Sequence, residues 1–380
     1  MKNLLISILW LGTCLHLNLA AQSNTTSSSS RFVPKEFNFS THYGYIINHQ
    51  DFVGHLTTSH PAGFELSAYW LTTGKYGWEK AYRYPKIGLS FFYYDFRNPV
   101  LGRAYAIVPH MKWTWKKTKR TRLEFKLGPG VVYTPNPWTI HSNPKNVMFS
   151  SLLNNVMYAG LEYSYRISPR IKLNTGLHLS HYSNAAYSLP NAGINIPSVN
   201  LGVTYTPHSE KVVYKDTLRP FKKNWSFHFS ASGSIIELDA NQPRKNHLVG
   251  FIATVNKRLS RKSIVNAGLE YSHNTALEKY ANRIYSRAQL PVPDFRRAGL
   301  LIGHELISGR VALVTQLGFY IYRPFTQTPE GGIVDQPIYQ RFGVKYYISK
   351  NLFAQYTFRT HLGVAEAIEY TIGYYFNAKK

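Results

Sequence analysis

The sequence predicts an all-β protein: an antiparallel transmembrane β-barrel of the outer-membrane type with about sixteen strands. Three observations lead there. Segments of about ten residues alternate apolar and polar along most of the chain, the pattern of a strand with two unlike faces. Aromatic residues are abundant, with 29 Tyr, 21 Phe and 7 Trp, yet mean hydropathy is only −0.26. Past the N-terminal leader, no run approaches the ~20 apolar residues of a spanning helix. A soluble β-sandwich or a secreted lectin-like protein is the competing class. The aromatic load and the leader favour the barrel.

The leader comes first. Lys2 begins a basic start, Leu4 to Leu19 is mostly apolar, and Ala20-Ala21 precedes Gln22. That is a secretory signal peptide, residues 1–21, with cleavage after Ala21. Cys14 is the one cysteine and lies inside it, so the mature chain has no disulfide framework. Thr13 before Cys14 makes a poor lipoprotein site. Residues 22–35, Ser/Thr-rich from Ser23 to Ser30, read as a flexible tail. Net charge is +25, from 44 Lys+Arg against 19 Asp+Glu. Nucleic acid is a poor partner for an exported barrel. The balance suits an anionic surface such as the outer leaflet's phosphorylated lipopolysaccharide, or else simple solvation of lumen and loops.

Alternating segments then follow in order. Phe37 to Ile47, Phe64 to Thr72, Ile87 to Phe96, Ala104 to Trp115 and Arg122 to Tyr133 are the first five. Val156 to Ile167, Ile171 to Asn184 and Ser198 to Thr206 complete a first half. Trp225 to Leu238, His247 to Arg258, Ile264 to His273 and Arg297 to Leu306 open the second. Val311 to Tyr322, Ile338 to Ile348, Phe353 to His361 and Ala367 to Phe376 close it. The last segment alternates Tyr370, Ile372, Tyr374 and Phe376, like the aromatic terminal strand that barrel-assembly machinery reads. Gly128-Pro129-Gly130 is too short for a phosphate loop and eases strand curvature instead.

The chain also looks duplicated. Phe37-Asn38-Phe39-Ser40 leads to Gly44 and Ile46-Ile47 much as Phe227-His228-Phe229-Ser230 leads to Gly233 and Ile235-Ile236. Gly160-Leu161-Glu162-Tyr163 leads to His178 at the spacing at which Gly343-Val344-Lys345-Tyr346 leads to His361. The halves are 36–208 and 224–380, with the polar, basic segment 209–223 as linker or long turn. One barrel of about sixteen strands fits, and so do two tandem eight-stranded barrels. The single barrel is favoured, because added hairpins extend a sheet without new edges.

The most telling segment is the seventh. Ile171, Leu173, Thr175, Leu177, Leu179, His181 and Ser183 share one face; Lys172, Asn174, Gly176, His178, Ser180, Tyr182 and Asn184 share the other. In a membrane barrel the apolar stripe faces lipid. With a periplasmic N-terminus the seventh strand ends at the cell surface, so His181 and Ser183 meet the headgroup region. A base and a hydroxyl there suit attack on lipid esters. Asn195 shares the parity of Val199, Leu201, Val203 and Tyr205 on the next strand, and so joins them on the outer wall. His178 reads as a lumen histidine. His361 with Glu366 and Glu369 has metal-like residue types, but alternation separates Glu366 from His361.

His181-Tyr182-Ser183-Asn184-Ala185, followed by Pro190-Asn191-Ala192-Gly193, resembles the active-site segment of the lipid A 3-O-deacylase family (PagL). The longer chain resembles its acyloxyacyl-hydrolase relatives from Bacteroidetes. The motif match covers about Gly176 to Tyr205, and by strand count the deacylase fold covers about Phe37 to Pro207. The resemblance implies an outer-membrane ester hydrolase acting on an acyl chain of lipid A, with His181 as base and Ser183 as nucleophile. The family's His-orienting Glu falls on Asn195, a departure. An Asn supplies a hydrogen bond but not a charge. Glu162 has lumen parity and cannot replace it. Asn184 and nearby backbone N–H groups are the expected oxyanion donors. No metal or cofactor is required. In the second half Val364 stands where His181 would, so one site per chain is expected. The alternative is a non-enzymatic barrel, a channel or structural protein, whose site has decayed.

Overall fold

The computed structural model describes residues 33–207, 213–215, 218, 221–237, 244–329, 331, 334 and 336–378. The expected signal peptide, with Cys14, lies outside the described residues, as does most of the expected tail. The first unit contains β1 (Glu36–Gly44), β2 (Ala62–Leu71), β3 (Lys86–Asp95), β4 (Arg103–Lys117), β5 (Thr121–Tyr133), β6 (Leu153–Arg166), β7 (Ile171–Ser183) and β8 (Ile194–Tyr205). These pair in sequence order, all antiparallel. β1 then closes on β8, with Phe37 opposite Tyr205 and Gly44 opposite Ser198.

The second unit contains β9 (Trp225–Ile236), β10 (Asn246–Arg258), β11 (Ser263–Asn274), β12 (Arg297–Ser308), β13 (Val311–Tyr322), β14 (Ile338–Tyr347), β15 (Leu352–His361) and β16 (Val364–Asn377). It closes between β9 and β16, with Phe229 opposite Tyr374.

All sixteen predicted strands are present, but the single sixteen-stranded barrel is not: each half is a closed eight-stranded barrel. The physical reason lies in the interiors. An eight-stranded barrel is just wide enough to be filled by its own side chains, and the inward residues here are chosen to fill it. In the first barrel Glu36, Glu65, Glu124 and Glu162 interleave with Lys86, Lys112, Lys126 and Lys172. Lys126, wholly buried, lies 2.8 Å from Glu65 and 3.4 Å from Glu162. In the second, Arg341 reaches Glu270 at 2.7 Å and Glu369 at 2.5 Å, and Arg359 binds the same two carboxylates. Unpaired charges could not remain there, since a lone buried ion is strongly destabilising.

The duplication holds at the level of elements. Phe37 and Phe227 both lie on the first strand of a barrel, and the matching Gly-to-His spacings occupy β6–β7 and β14–β15.

The outer walls carry the opposite residues. Along β7, Leu177 is 65% exposed while its neighbour His178 is 4% exposed. Exposed aromatics ring the first barrel near both strand ends, among them Tyr43, Tyr45 and Tyr133 at one and Trp115, Tyr165 and Tyr205 at the other. These are the girdles of a membrane-spanning barrel. Connections differ between the ends. At the end holding the N-terminus of β1 run the short turns 118–120 and 167–170 and the longer 72–85; at the other end run 96–102 and the long 45–61, 134–152 and 184–193. Outer-membrane barrels keep short turns periplasmic and long loops extracellular. The β7–β8 corner is therefore at the extracellular end. The second barrel has the same asymmetry, with turns 259–262, 309–310 and 348–351 opposite the long connections 275–296 and 323–337.

Among the described residues two α-helices lie outside the strand pattern, the one-turn α1 (Gly77–Ala81) and the longer α2 (Thr275–Arg287), beside a short 3-10 helix at Asp51–Leu56.

Candidate active site at the outer corner of the first barrel

β7 and β8 pair regularly, and His181 stands directly opposite Asn195. Opposed residues on one face have Cβ atoms only about 5 Å apart, and here the side chains meet: His181 Nδ1 lies 2.8 Å from Asn195 Oδ1. An amide oxygen only accepts, so Nδ1 carries the proton and donates. In the neutral ring Nε2 is then the basic nitrogen. Pro197 does not disturb the register, since it pairs opposite Leu179 and its carbonyl accepts from Tyr45 N at 3.2 Å. Ile47 N donates to Asn195 O at 3.0 Å, so the chain beyond β1 continues the sheet beside the site.

Ser183 is two residues from His181 on the same face, about 7 Å along the strand. Its side chain is largely buried under the connection that follows. Asn191 Nδ2 donates to Ser183 Oγ at 2.9 Å, and Asn191 Oδ1 accepts from Asn184 N at 3.1 Å. The second bond fixes which end of the amide faces the serine. The segment that carries Asn191 is itself anchored. Ala192 N donates to Val147 O at 3.0 Å and Gly193 N to Met148 O at 3.2 Å. Gly193 is required there: its φ is +74°, and a Cβ would come within 2.9 Å of Tyr182 O and 3.3 Å of His181 Cε1. His49, exposed, brings Nε2 to 3.0 Å from Ala192 O and Nδ1 to 3.2 Å from Ile47 O.

Of the expected residues, His181, Ser183 and Asn195 therefore sit together on the outer wall. Asn184 does not join them through its side chain. That amide is turned inward and donates to Ser150 Oγ at 3.3 Å and Ser151 Oγ at 3.1 Å. The strand's own parity explains this, because Asn184 continues the lumen face of Tyr182. Asn191 is the residue that sequence reasoning passed over, since an Asn before Ala-Gly reads as a turn former. His49 had no sequence signal at all.

Glu162 lies in the lumen between Lys112 and Lys126, and His178 stacks in the lumen with Nδ1 2.5 Å from Tyr158 OH. In the second barrel His361 and Glu366 are not separated as alternation predicts. His361 Nδ1 is 3.7 Å from Glu366 Oε2, because the β15–β16 register shifts between Arg359 and Thr360. Among the described residues no three such side chains are grouped to hold a metal ion. The corner equivalent to 184–193 is there a two-residue turn, Leu362-Gly363, with both φ angles positive.

Two family models match the chain. The lipid A 3-O-deacylase (PagL) model covers residues 62–204, and the acyloxyacyl hydrolase C-terminal domain model covers 225–378. No curated protein matches by sequence. Among solved structures, Neisserial surface protein A is similar at 9% identity and a TM-score of 0.33, over 45% of this chain and 96% of that one. The outer membrane enzyme PagL is similar at 16% identity and a TM-score of 0.32, over 43% of this chain and 97% of that one. The first barrel thus carries the match to the lipid A 3-O-deacylase (PagL) model, and the second barrel the match to the acyloxyacyl hydrolase C-terminal domain model.

Proposed function

We propose that the first barrel hydrolyses an ester-linked acyl chain of lipid A in the outer leaflet, with Ser183 as nucleophile and His181 as base. One observation carries this reading. A histidine with its Nδ1 proton engaged by Asn195 and a serine engaged by Asn191 share the lipid-facing wall at the extracellular end. The filled lumen argues against a diffusion channel through this barrel and leaves the wall and its corner for chemistry.

His181 Nε2 takes the proton from Ser183 Oγ as that oxygen attacks the ester carbonyl. The carbonyl oxygen becomes an oxyanion. The Asn191 amide, already 2.9 Å from Ser183 Oγ, is the donor we assign to it in place of the Asn184 side chain. As the intermediate collapses, the imidazolium gives its proton to the departing alkoxide oxygen, which leaves as a hydroxyl. Water, deprotonated by the same ring, then releases the fatty acid from Ser183. The apolar stripe Leu173, Leu177 and Leu179 lies beneath, in line with an acyl chain in the bilayer.

Asn195 orients the ring but adds no negative charge, so the imidazolium formed during attack is stabilised less than a carboxylate would allow. The expected consequence is a working but slow enzyme.

The test compares outer membranes holding wild type or Ser183→Ala, with lipid A weighed by mass spectrometry. Wild type is expected to release one fatty acid per lipid A, and the variant to slow this by at least about a thousand-fold. Identical acylation in both would leave a barrel whose site has decayed.

A further inference from the structure

The β11–β12 connection of the second barrel carries α2, and the way this helix is fixed decides what it presents. Asn274 caps it, its Oδ1 accepting from the N–H of Ala276 at 2.9 Å and of Leu277 at 3.4 Å. Leu277 and Ala281 are buried with Phe325, and Tyr280, Ile284 and Tyr285 pack around that cluster. Tyr285 OH donates to Gln327 O at 2.9 Å. With the apolar stripe held down, Lys279, Arg283 and Arg287 fall together on the other side, each four residues from the next. Lys279 and Arg287 are exposed; Arg283 is half-buried, its guanidinium 5.5 Å from the Tyr280 ring. Lys279 also donates to Asn246 Oδ1 at 2.9 Å, which steadies one end of the row. Glu278, the one carboxylate in α2, is turned to His273, 3.7 Å away.

Like charges four apart repel on a helix. The row, exposed at Lys279 and Arg287, offers positive charge to an external anion. It spans about 12 Å, from eight residues at the helical rise, a length comparable to a disaccharide headgroup bearing a phosphate at each end. It sits at the long-loop end of its barrel, outside the hydrocarbon layer, where headgroups lie. Guanidinium groups match phosphate in charge and in paired donor geometry.

We propose that α2 is a docking ridge for the phosphate groups of outer-leaflet lipopolysaccharide. The second barrel thereby contributes lipid binding of its own. This rests on the outer-membrane placement of the chain and not on the ester chemistry.

The experiment uses the full chain carrying Ser183→Ala, so that lipid is not consumed, reconstituted in phosphatidylcholine nanodiscs. Binding of fluorescent rough-type lipopolysaccharide is titrated beside the same lipid stripped of phosphate. Lys279→Gln, Arg283→Gln and Arg287→Gln together are expected to weaken binding of the phosphorylated lipid at least about ten-fold and to flatten its salt dependence. Removing three charges at the short-turn end, Arg261→Gln, Lys262→Gln and Lys350→Gln, should change neither. Arg287→Gln alone, at the exposed end of the helix, should cost roughly five-fold and carries little risk to folding. Unchanged binding in both α2 variants overturns the proposal. So does an equal loss from the short-turn control or an equal loss toward the stripped lipid. Hydrolysis by the parent protein is a separate readout, so failure of the esterase reading remains distinguishable.

Discussion

The two barrels fill their interiors by the same logic and finish their corresponding corners in opposite ways. In the first, lysines alternate with glutamates around Lys126; in the second, Arg341 and Arg359 grip Glu270 and Glu369. Both lumens are closed by charge pairs. At the extracellular corner the likeness ends. Between β7 and β8 ten residues, 184–193, intervene, and Asn191 among them reaches Ser183. Between β15 and β16 only Leu362-Gly363 intervene, and Val364, which sequence spacing sets against His181, opens β16 opposite His361 and does not extend β15. The scaffold is thus repeated, while the proposed chemistry depends on one connection. This is what a rigid barrel permits, because strand pairing holds the wall whatever the loop does.

The largest effect should come from the shared part. Lys126→Met leaves Glu65 and Glu162 buried beside an apolar side chain, and should destabilise the first barrel by about 3–5 kcal/mol. Arg341→Met should do the same to the second through Glu270 and Glu369. Urea unfolding in micelles checks both. If either variant unfolds at the parental midpoint, the lumens are not held in the same way.

A smaller effect sharpens the unshared part. Asn195→Glu restores a charge beside Nδ1 of His181 and should raise the hydrolysis rate by roughly ten-fold or more, since orientation is already provided by the amide. Asn195→Ala should lower it instead. A rate unchanged by both would mean that the His181–Asn195 bond has no part in turnover.

How much of this was legible in the sequence follows from what each feature depends on. Strands were readable because wall and lumen demand opposite residues at every step, as Leu177 and His178 illustrate. Closure was not, because it depends on which strand β1 meets, and nothing local in Phe37 to Gly44 names β8 as its partner. The repeat and the linker carried that information, but a preference for fewer sheet edges outweighed them. α2 was missed because its 3.6-residue pattern is short and lies inside a polar gap between strands. The positions of His181, Ser183 and Asn195 followed from parity alone. Asn191 did not, since its role comes from a loop bond to Asn184 N. His361 and Glu366 met against expectation because a register shift breaks strict alternation.

The central claim is that Ser183 is an activated nucleophile on the outer wall. The most direct measurement treats the protein with a long-chain alkyl phosphonofluoridate and locates the adduct by peptide mass spectrometry. The prediction is one adduct per chain, on Ser183, greatly slowed in His181→Ala and absent from the second barrel. Labelling that misses Ser183, or that proceeds equally fast without His181, would contradict the account.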